Sequence, residues 1–319
     1  MDITNGVDMT KEITEGFSFS DFDTTKEGMW LVSRSAPSPS EKPIVDSGPF
    51  TQGVYDFSMM MGERVFNNRP ITYEFQLLER DYNYRKIDEA YLKNALMKSG
   101  IQPIYDTHDP GYYYLGKCVS VDVEDDHVYG RLIITIEFDC YPFMIALQEE
   151  GNDDWNSFDF ELDYAQENTF YPKRTTFKPL SIGGLATVGA WSTAYDGLEP
   201  IPKKFLGSSY PITNTQSTTQ GVSSTAYFLG GLNKWVIEQD VVQAQHGNVE
   251  VNLMNAGSAG VTPTIITDKP ITIIKGNSVY NVWPGETKDD DFRFDIGENR
   301  FTLAGYNAAV KFEFYKELM

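Results

Sequence analysis

The residues whose types and spacing could perform chemistry are concentrated in one short stretch of this chain. Asp106, His108 and Asp109 lie within four positions and are followed directly by Pro110 and Gly111. Such a group could bind a metal ion or act as an acid–base pair. The Asp-Pro-Gly order also predicts a turn, because proline fixes its own φ angle and glycine accepts a positive one. We favour the structural turn, since the chain has only three histidines and a zinc site usually needs several nitrogen or sulfur ligands.

No other motif in the sequence indicates catalysis or a bound cofactor. Patterns such as G-x-S-x-G, the P-loop, H-E-x-x-H and G-x-G-x-x-G do not occur. Cys118 and Cys140 are the only cysteines and have no neighbouring histidine, so we predict two free, buried thiols. The acidic stretch 152–163 could supply carboxylates for calcium or for glycoside hydrolysis, but we favour an acidic strand edge that discourages aggregation. We therefore predict no catalytic residue, no cofactor and no metal site, and hence no enzyme.

The net charge of −20 restricts the classes of partner. A protein that binds DNA through its phosphates needs clustered lysine and arginine, so this composition argues against specific nucleic-acid binding. An acidic surface could still border a DNA path, because it repels the polyanion and lets it slide. The chain begins without a signal-peptide pattern, and no apolar run approaches about 18 residues, so we expect no membrane span.

The first part of the chain has the pattern of an antiparallel β structure with one helix. Residues 69–80 alternate between apolar and polar side chains, which predicts a half-buried strand. Residues 112–126 and 127–143 predict two further strands, and a β-hairpin is expected within residues 35–58. Residues 83–100 carry apolar side chains at helical spacing. The predicted buried stripe of that helix is Ile87, Tyr91, Leu92, Ala95 and Leu96.

The second part of the chain changes in composition and then returns to strands. Residues 171–233 are rich in Pro, Gly, Ser, Thr and aromatics, which is typical of hairpins and long loops. Trp191, Tyr195 and Tyr210 in this region could stack on sugar rings or anchor a protein partner, or they could belong to a core. The last 70 or so residues alternate strands with turn residues, as in an all-β sandwich.

The order of several short segments resembles a known family. GMWLVSRSAPSPS, RPITYEFQL, a helix ending in KSG, IYDTHDPGYYYLGKC and RLIITIEFDCYPF follow one another in the N-terminal part. NAGSAGVTP and IGENRFTLAGYNAAVKFEFYKE follow near the end. This order is similar to that of the distal tail proteins (Dit) of long-tailed, non-contractile bacteriophages. The resemblance covers about residues 15–148 and 248–317. It rests on the order and spacing of these segments, because each motif is short.

The resemblance implies a mainly β fold with two domains. Residues 1–143 are expected to form the ring-forming N-terminal domain, a β-sandwich with one α-helix and a β-hairpin. Residues 144–319 are expected to form a galectin-like β-sandwich. In the family the D-P-G segment is a turn before a strand, and Asp109, Pro110 and Gly111 match it; no role is carried over to His108.

One departure from the family pattern predicts an insertion. The segment between Phe143 and Asn255 is much longer than in a minimal distal tail protein, which places an insertion at very roughly 165–245. We favour an arm that contacts receptor-binding proteins, built as an extended hairpin that orders on assembly. A carbohydrate-contacting extension remains the alternative, since this segment holds Trp191, Tyr195 and Tyr210.

The function implied by the resemblance is structural. The chain is expected to form a homohexameric ring in the tail tip of a virion, assembled in the cytoplasm of the bacterial host. Its expected partners are the tail tube protein, the hub protein of the tail tip and the receptor-binding or baseplate proteins, with DNA passing through a central channel. The rival hypothesis is a carbohydrate-binding adhesion module that contacts the host cell wall.

Overall fold

The computed structural model describes residues 12–319 except 49, 51, 61, 152–165, 174–175 and 198. The described residues form two compact units. The first contains those up to Gln148 together with Glu317–Met319, and the second contains those from Glu149 to Lys316. The mainly β architecture predicted from the sequence is confirmed, and the described residues contain a single α-helix. The acidic stretch 152–163 lies outside them. None of the described helices is long and apolar enough to cross a membrane.

The first unit is built on one eight-stranded antiparallel sheet. Its strands in chain order are β1 (Phe17–Phe19), β2 (Phe22–Asp23), β3 (Trp30–Ser35), β6 (Arg69–Leu78), β7 (Gln102–Asp106), β8 (Tyr112–Asp126), β9 (Arg131–Ala146) and β24 (Glu317–Leu318). The spatial order is β2-β1-β7-β8-β9-β6-β3, and β24 pairs with the end of β9. Two short strands, β4 (Val45–Asp46) and β5 (Tyr55–Asp56), form a separate hairpin within the predicted range 35–58.

An aromatic core shows that this sheet closes over itself. Phe17 on β1 packs against Tyr73 on β6 and Phe138 on β9, with ring centroids 4.7 Å and 5.1 Å apart. These strands are not neighbours of β1 in the sheet, so the sheet must curl to bring their inner faces together. The arrangement agrees with the predicted N-terminal β-sandwich. Its core is supplied by the alternating buried positions of β6 and β9, which the sequence pattern indicated.

The helix α1 (Tyr82–Met97) covers part of this unit, but its buried face differs from the predicted one. Asp81 caps the helix, because its side chain accepts a 2.8 Å hydrogen bond from the backbone N–H of Asn83. Leu92 and Leu96 are buried as expected, whereas Ile87 and Tyr91 are exposed. The remaining buried position is Arg85.

The buried arginine has a physical explanation in its polar contacts. Arg85 Nε donates to Asp125 at 2.7 Å, and its Nη1 donates to the carbonyl oxygens of Glu79 and Arg80. A buried guanidinium is tolerated when its donors are paired in this way. Apolar spacing alone therefore predicted the helix and two of its buried leucines, but it could not predict a polar side chain on the buried face.

The second unit contains the remaining strands and three short 3-10 helices. The strands are β10 (Thr169–Phe170), β11 (Thr176–Phe177), β12 (Leu185–Thr187), β13 (Ser209–Ser217), β14 (Thr225–Leu229), β15 (Lys234–Ile237), β16 (Gln245–His246), β17 (Val249–Asn255), β18 (Thr264–Thr267), β19 (Ile271–Lys275), β20 (Ser278–Val282), β21 (Gly285–Lys288), β22 (Gly297–Gly305) and β23 (Val310–Glu313). The 3-10 helices are Lys203–Phe205, Glu238–Asp240 and Val242–Ala244.

Two four-stranded sheets of this unit enclose a common apolar core. Their strand orders are β17-β22-β19-β20 and β10-β23-β18-β21. The core between them contains Phe292, Phe294, Phe301 and Phe312, and the rings of Phe301 and Phe312 lie 5.2 Å apart. This is a β-sandwich, and its galectin-like character stays a prediction.

The predicted insertion contains a folded β structure of its own. Strands β12 to β15 form a four-stranded antiparallel sheet, and its buried residues form a separate apolar cluster that includes Ile212, Tyr227, Leu229 and Val236. The turn-rich composition suggested an extended hairpin, but β14 and β15 place Ala226, Tyr227, Leu229, Val236 and Ile237 in buried positions. The predicted domain boundaries and the role of the insertion as an arm remain predictions.

Candidate functional site

The cluster of possible catalytic residues lies at the junction of four strands and is neutralised by an arginine. The Asp106 side chain is fully buried, and its Oδ2 accepts hydrogen bonds from Arg34 Nε and Tyr73 Oη, each at 2.6 Å. Asp109 Oδ2 accepts from Arg34 Nη2 and, at 2.6 Å, from Tyr114 Oη. The cluster thereby joins the end of β7 to β3, β6 and β8. Two carboxylates held by one guanidinium and two phenols are occupied as acceptors.

The ionisation of these groups also favours a structural role. Burial, followed by the charge of Asp106, raises the pKa of Tyr73. Burial and the hydrogen bond to Asp109 raise the pKa of Tyr114. Burial opposes the charged form of Arg34, but its interactions with Asp106 and Asp109 outweigh that effect and raise its pKa. Both phenols therefore stay protonated and donate, while Arg34 stays charged.

The Asp-Pro-Gly segment has the geometry of a type II turn. The backbone N–H of Tyr112 donates to the carbonyl of Asp109 at 3.2 Å, and Gly111 has a φ angle of +91°. A positive φ after a proline is the type II arrangement, which favours glycine at that position. The side chain of His108 lies against the carboxylate of Asp106, with its Nδ1 3.1 Å from Asp106 Oδ1. Within the described parts of the chain, no group of three His, Cys, Asp or Glu side chains is arranged to hold a metal ion.

The hairpin of β4 and β5 carries the most prominent exposed apolar surface of the first unit. We define its hairpin patch as eight side chains that are between 43% and 107% exposed: Ile44, Val45, Phe50, Val54, Tyr55, Phe57, Met59 and Met60. The two strands pair through only two residue pairs, Val45 with Asp56 and Asp46 with Tyr55. A two-stranded hairpin of this size is marginally stable in water, and a concentration of exposed apolar side chains on one short segment often marks an interaction site.

The three aromatic residues proposed from the sequence lie in and around the sheet of the insertion. Tyr195 is 3% exposed and belongs to the apolar cluster of that sheet, against which the half-buried Tyr210 also packs. Trp191 is half-buried, and its indole Nε1 donates to the carbonyl of Gln239 at 3.0 Å. Gly189 lies under that indole so closely that a Cβ there would be 2.5 Å from it. Their role in binding a partner or a saccharide stays a prediction.

The second unit forms a groove that no sequence motif indicated. It has a volume of about 590 Å³ and is lined by Thr176, Phe177, Pro179, Val222, Ser224, Thr225, Glu238 and Tyr306. None of the three predicted aromatics lines it. Glu238 is the buried acidic residue of the lining, and it lies in the plain sequence KWVIEQD, which matches no motif. Its place in the groove depends on segments far apart in sequence.

Comparison with known proteins gives structural likeness without sequence matches. No family model and no curated protein matches the chain. Among solved structures, the chain is similar to the Dit (gp 19.1) protein of phage SPP1, described as a paradigm of the hub adsorption apparatus in phages that infect Gram-positive bacteria. The TM-score is 0.47 and the sequence identity 10%, over 92% of this chain and 95% of that one.

Two structures of the phage P2 baseplate in its activated conformation are also similar. The structure with Ca has a TM-score of 0.32 at 10% identity, and the structure with Sr has a TM-score of 0.30 at 11% identity. Each match covers 92% of this chain and 92% of the other.

Proposed function

We propose that this chain is a distal tail protein: a structural component of a phage tail tip that joins the tail tube to the adhesion device. Six copies would form a ring, with the first unit around a channel for DNA and the second unit available to receptor-binding or baseplate proteins. The order of the sequence segments supports this proposal, as does the mainly β fold with two compact units. The proposed role needs neither catalysis nor a cofactor.

The hairpin patch is the observation that carries the proposal. Eight exposed apolar side chains on one small hairpin would be costly for a protein that stays monomeric. The two sides of the hairpin are joined by the hydrogen bond from the backbone N–H of Ile44 to Ser58 Oγ, at 2.9 Å. A hairpin of this kind can pair with or pack on a neighbouring subunit. A repeated head-to-tail contact of that type closes into a ring when the rotation between subunits allows it.

The test is the solution mass of the purified full-length protein, measured by light scattering behind a sizing column. We expect a mass six times that of one chain for the native protein. Val54→Asp and Met60→Asp place charges in the hairpin patch, and we expect either variant to give mostly monomer because burial of an unpaired carboxylate is unfavourable.

The matched control is Val128→Asp. Val128 is also exposed and belongs to the first unit, but it lies in the turn between β8 and β9, away from the hairpin. This variant should keep the mass of the ring. A native protein that remains monomeric at high concentration, also when mixed with tail tube protein, would contradict the proposal.

A second candidate function is carbohydrate binding at the host cell wall. The groove of the second unit favours it, because the groove combines a buried carboxylate, hydroxyl groups and aromatic side chains. The two functions are compatible, since a ring protein can also carry a saccharide site. The acidic character of the chain agrees with the ring, because it would let DNA pass through a channel without adhering.

A further inference from the structure

The groove of the second unit has the size and composition of a small-molecule site. Its volume of about 590 Å³ lies within the range of ligand pockets. One wall comes from β11, through Thr176 and Phe177, and another comes from Tyr306, which follows β22. Segments far apart in sequence thus converge on one concave surface, as binding sites typically require.

Glu238 is the most informative residue of the groove. It is only 3% exposed, and its Oε1 accepts hydrogen bonds from the backbone N–H of Ser224 at 2.7 Å and from Ser224 Oγ at 3.0 Å. Its second oxygen has no hydrogen-bond partner among the described residues, and no described cation forms an ion pair with this carboxylate. That oxygen is therefore available to accept hydrogen bonds from a ligand in the groove.

The other lining residues restrict the chemistry of that ligand. The described residues of the lining include no lysine, arginine or histidine, so among them nothing would compensate the charge of an anionic ligand beside Glu238. Metal coordination is not supported either, because one carboxylate and a few hydroxyls are too few ligands for a built site. Thr176, Ser224 and Thr225 add hydroxyl groups, while Phe177 and Tyr306 add aromatic rings.

We propose that this groove binds a neutral saccharide. The hydroxyls of a sugar would donate to the unused oxygen of Glu238, and the apolar face of the sugar ring would pack on Tyr306, which is 43% exposed. Ser224 fixes the carboxylate in advance, so little side-chain freedom is lost on binding. This inference names the site and ligand class of the second candidate function and does not depend on ring formation.

The test is calorimetric titration of the full-length protein with glucose, galactose, N-acetylglucosamine and tri-N-acetylglucosamine. We expect at least one of them to bind. Glu238→Gln replaces the unused acceptor oxygen by an amide group and should weaken that binding about tenfold or more. Tyr306→Ala, at a position that is 43% exposed, should weaken it about fivefold or more.

The matched control is Tyr315→Ala. Tyr315 is 42% exposed, close to the exposure of Tyr306, but it does not line the groove, so its removal should leave the affinity unchanged. The proposal is overturned if none of the four sugars binds at up to about 10 mM, or if Glu238→Gln binds as tightly as the native protein. Binding of the cation spermidine without any sugar would also overturn it. Light scattering on the same samples measures the solution mass and so tests ring formation independently. Failure of the saccharide proposal can therefore be distinguished from failure of the ring proposal.

Discussion

At the scale of single residues, the polar cluster around Asp106 shows how a group that could do chemistry serves structure. Arg34 and Tyr73 reach it from strands that are 72 and 33 positions away in sequence. Both oxygens of Asp106 and Oδ2 of Asp109 accept hydrogen bonds from neighbouring residues. These hydrogen bonds hold the end of β7 and the turn after it against β3, β6 and β8.

Removing one charge from this cluster should lower stability. In Asp106→Asn the guanidinium of Arg34 loses its most buried partner, and we expect the free energy of unfolding to fall by about 2–3 kcal/mol. Urea denaturation followed by near-ultraviolet circular dichroism measures this change. Asp122→Asn on the neighbouring strand β8 is the control, because Asp122 is exposed. If both variants lost the same free energy of unfolding, the cluster around Asp106 would not stabilise the fold more than an exposed aspartate does.

The two thiols should be unreactive in the folded protein. Burial raises the pKa of Cys118 to about 11 and that of Cys140 to about 12. At pH 8 the thiolate fraction of such a group is about one in a thousand or less, so we expect little reaction with a disulfide reagent until urea unfolds the chain. Because folding retains these protons, the thiols contribute stability that is fully present below the ordinary pKa of 9.0. That stability is lost as the pH rises through about 11 and 12.

Rapid labelling of either cysteine in the native protein at pH 8 would contradict this expectation. The matched experiment is labelling in urea at the same pH, where both thiols should react within minutes. In the Cys118→Ala variant, labelling reports on Cys140 alone. The sequence correctly indicated free, buried thiols, and both cysteines are free and buried in the structure.

At the scale of elements, the hairpin and the helix differ in what holds them. The described strands β4 and β5 pair through two residue pairs, and the exposed apolar side chains of the hairpin favour a partner outside the chain. Helix α1 is held through Leu92, Leu96 and the ion pair of Arg85 with Asp125. The first element is therefore expected to depend on assembly, whereas the second should be stable in the isolated protein.

The cap of helix α1 gives a direct test of that difference. Asp81→Ala removes the acceptor for the backbone N–H of Asn83 and should reduce the free energy of unfolding by about 1 kcal/mol. Asp81→Asn keeps an acceptor at the same position and should be nearly neutral. Chemical denaturation of both variants measures the effect. If the two variants lose the same stability, the hydrogen bond at Asp81 is not what stabilises the start of the helix.

At the scale of the whole molecule, the proposed functions fall on different units. The hairpin patch lies in the first unit and the groove around Glu238 lies in the second. The chain passes from the first unit to the second near Gln148 and returns at Glu317, where β24 pairs with β9. An adaptor that joins a ring to an adhesion device requires two functional surfaces on one chain in this way.

The sequence by itself determined the elements that depend on near neighbours. The alternation along residues 69–80 placed Ile71, Tyr73 and Phe75 on the buried face of β6, and Asp-Pro-Gly specified a turn with a positive φ at its glycine. The helical spacing located α1 as well. The spacing of apolar residues, the capping of a helix and the geometry of a turn depend on residues close in sequence. They can therefore be inferred without knowledge of the tertiary structure.

Only the tertiary structure decided which distant residues meet. The sequence could not show that Arg34 neutralises Asp106, or that Arg85 rather than Ile87 occupies the buried face of the helix. It also could not show that Glu238 and Tyr306 border one groove. Each of these facts depends on how strands far apart in sequence pair and on which face of an element finds a polar partner, and no short segment specifies either.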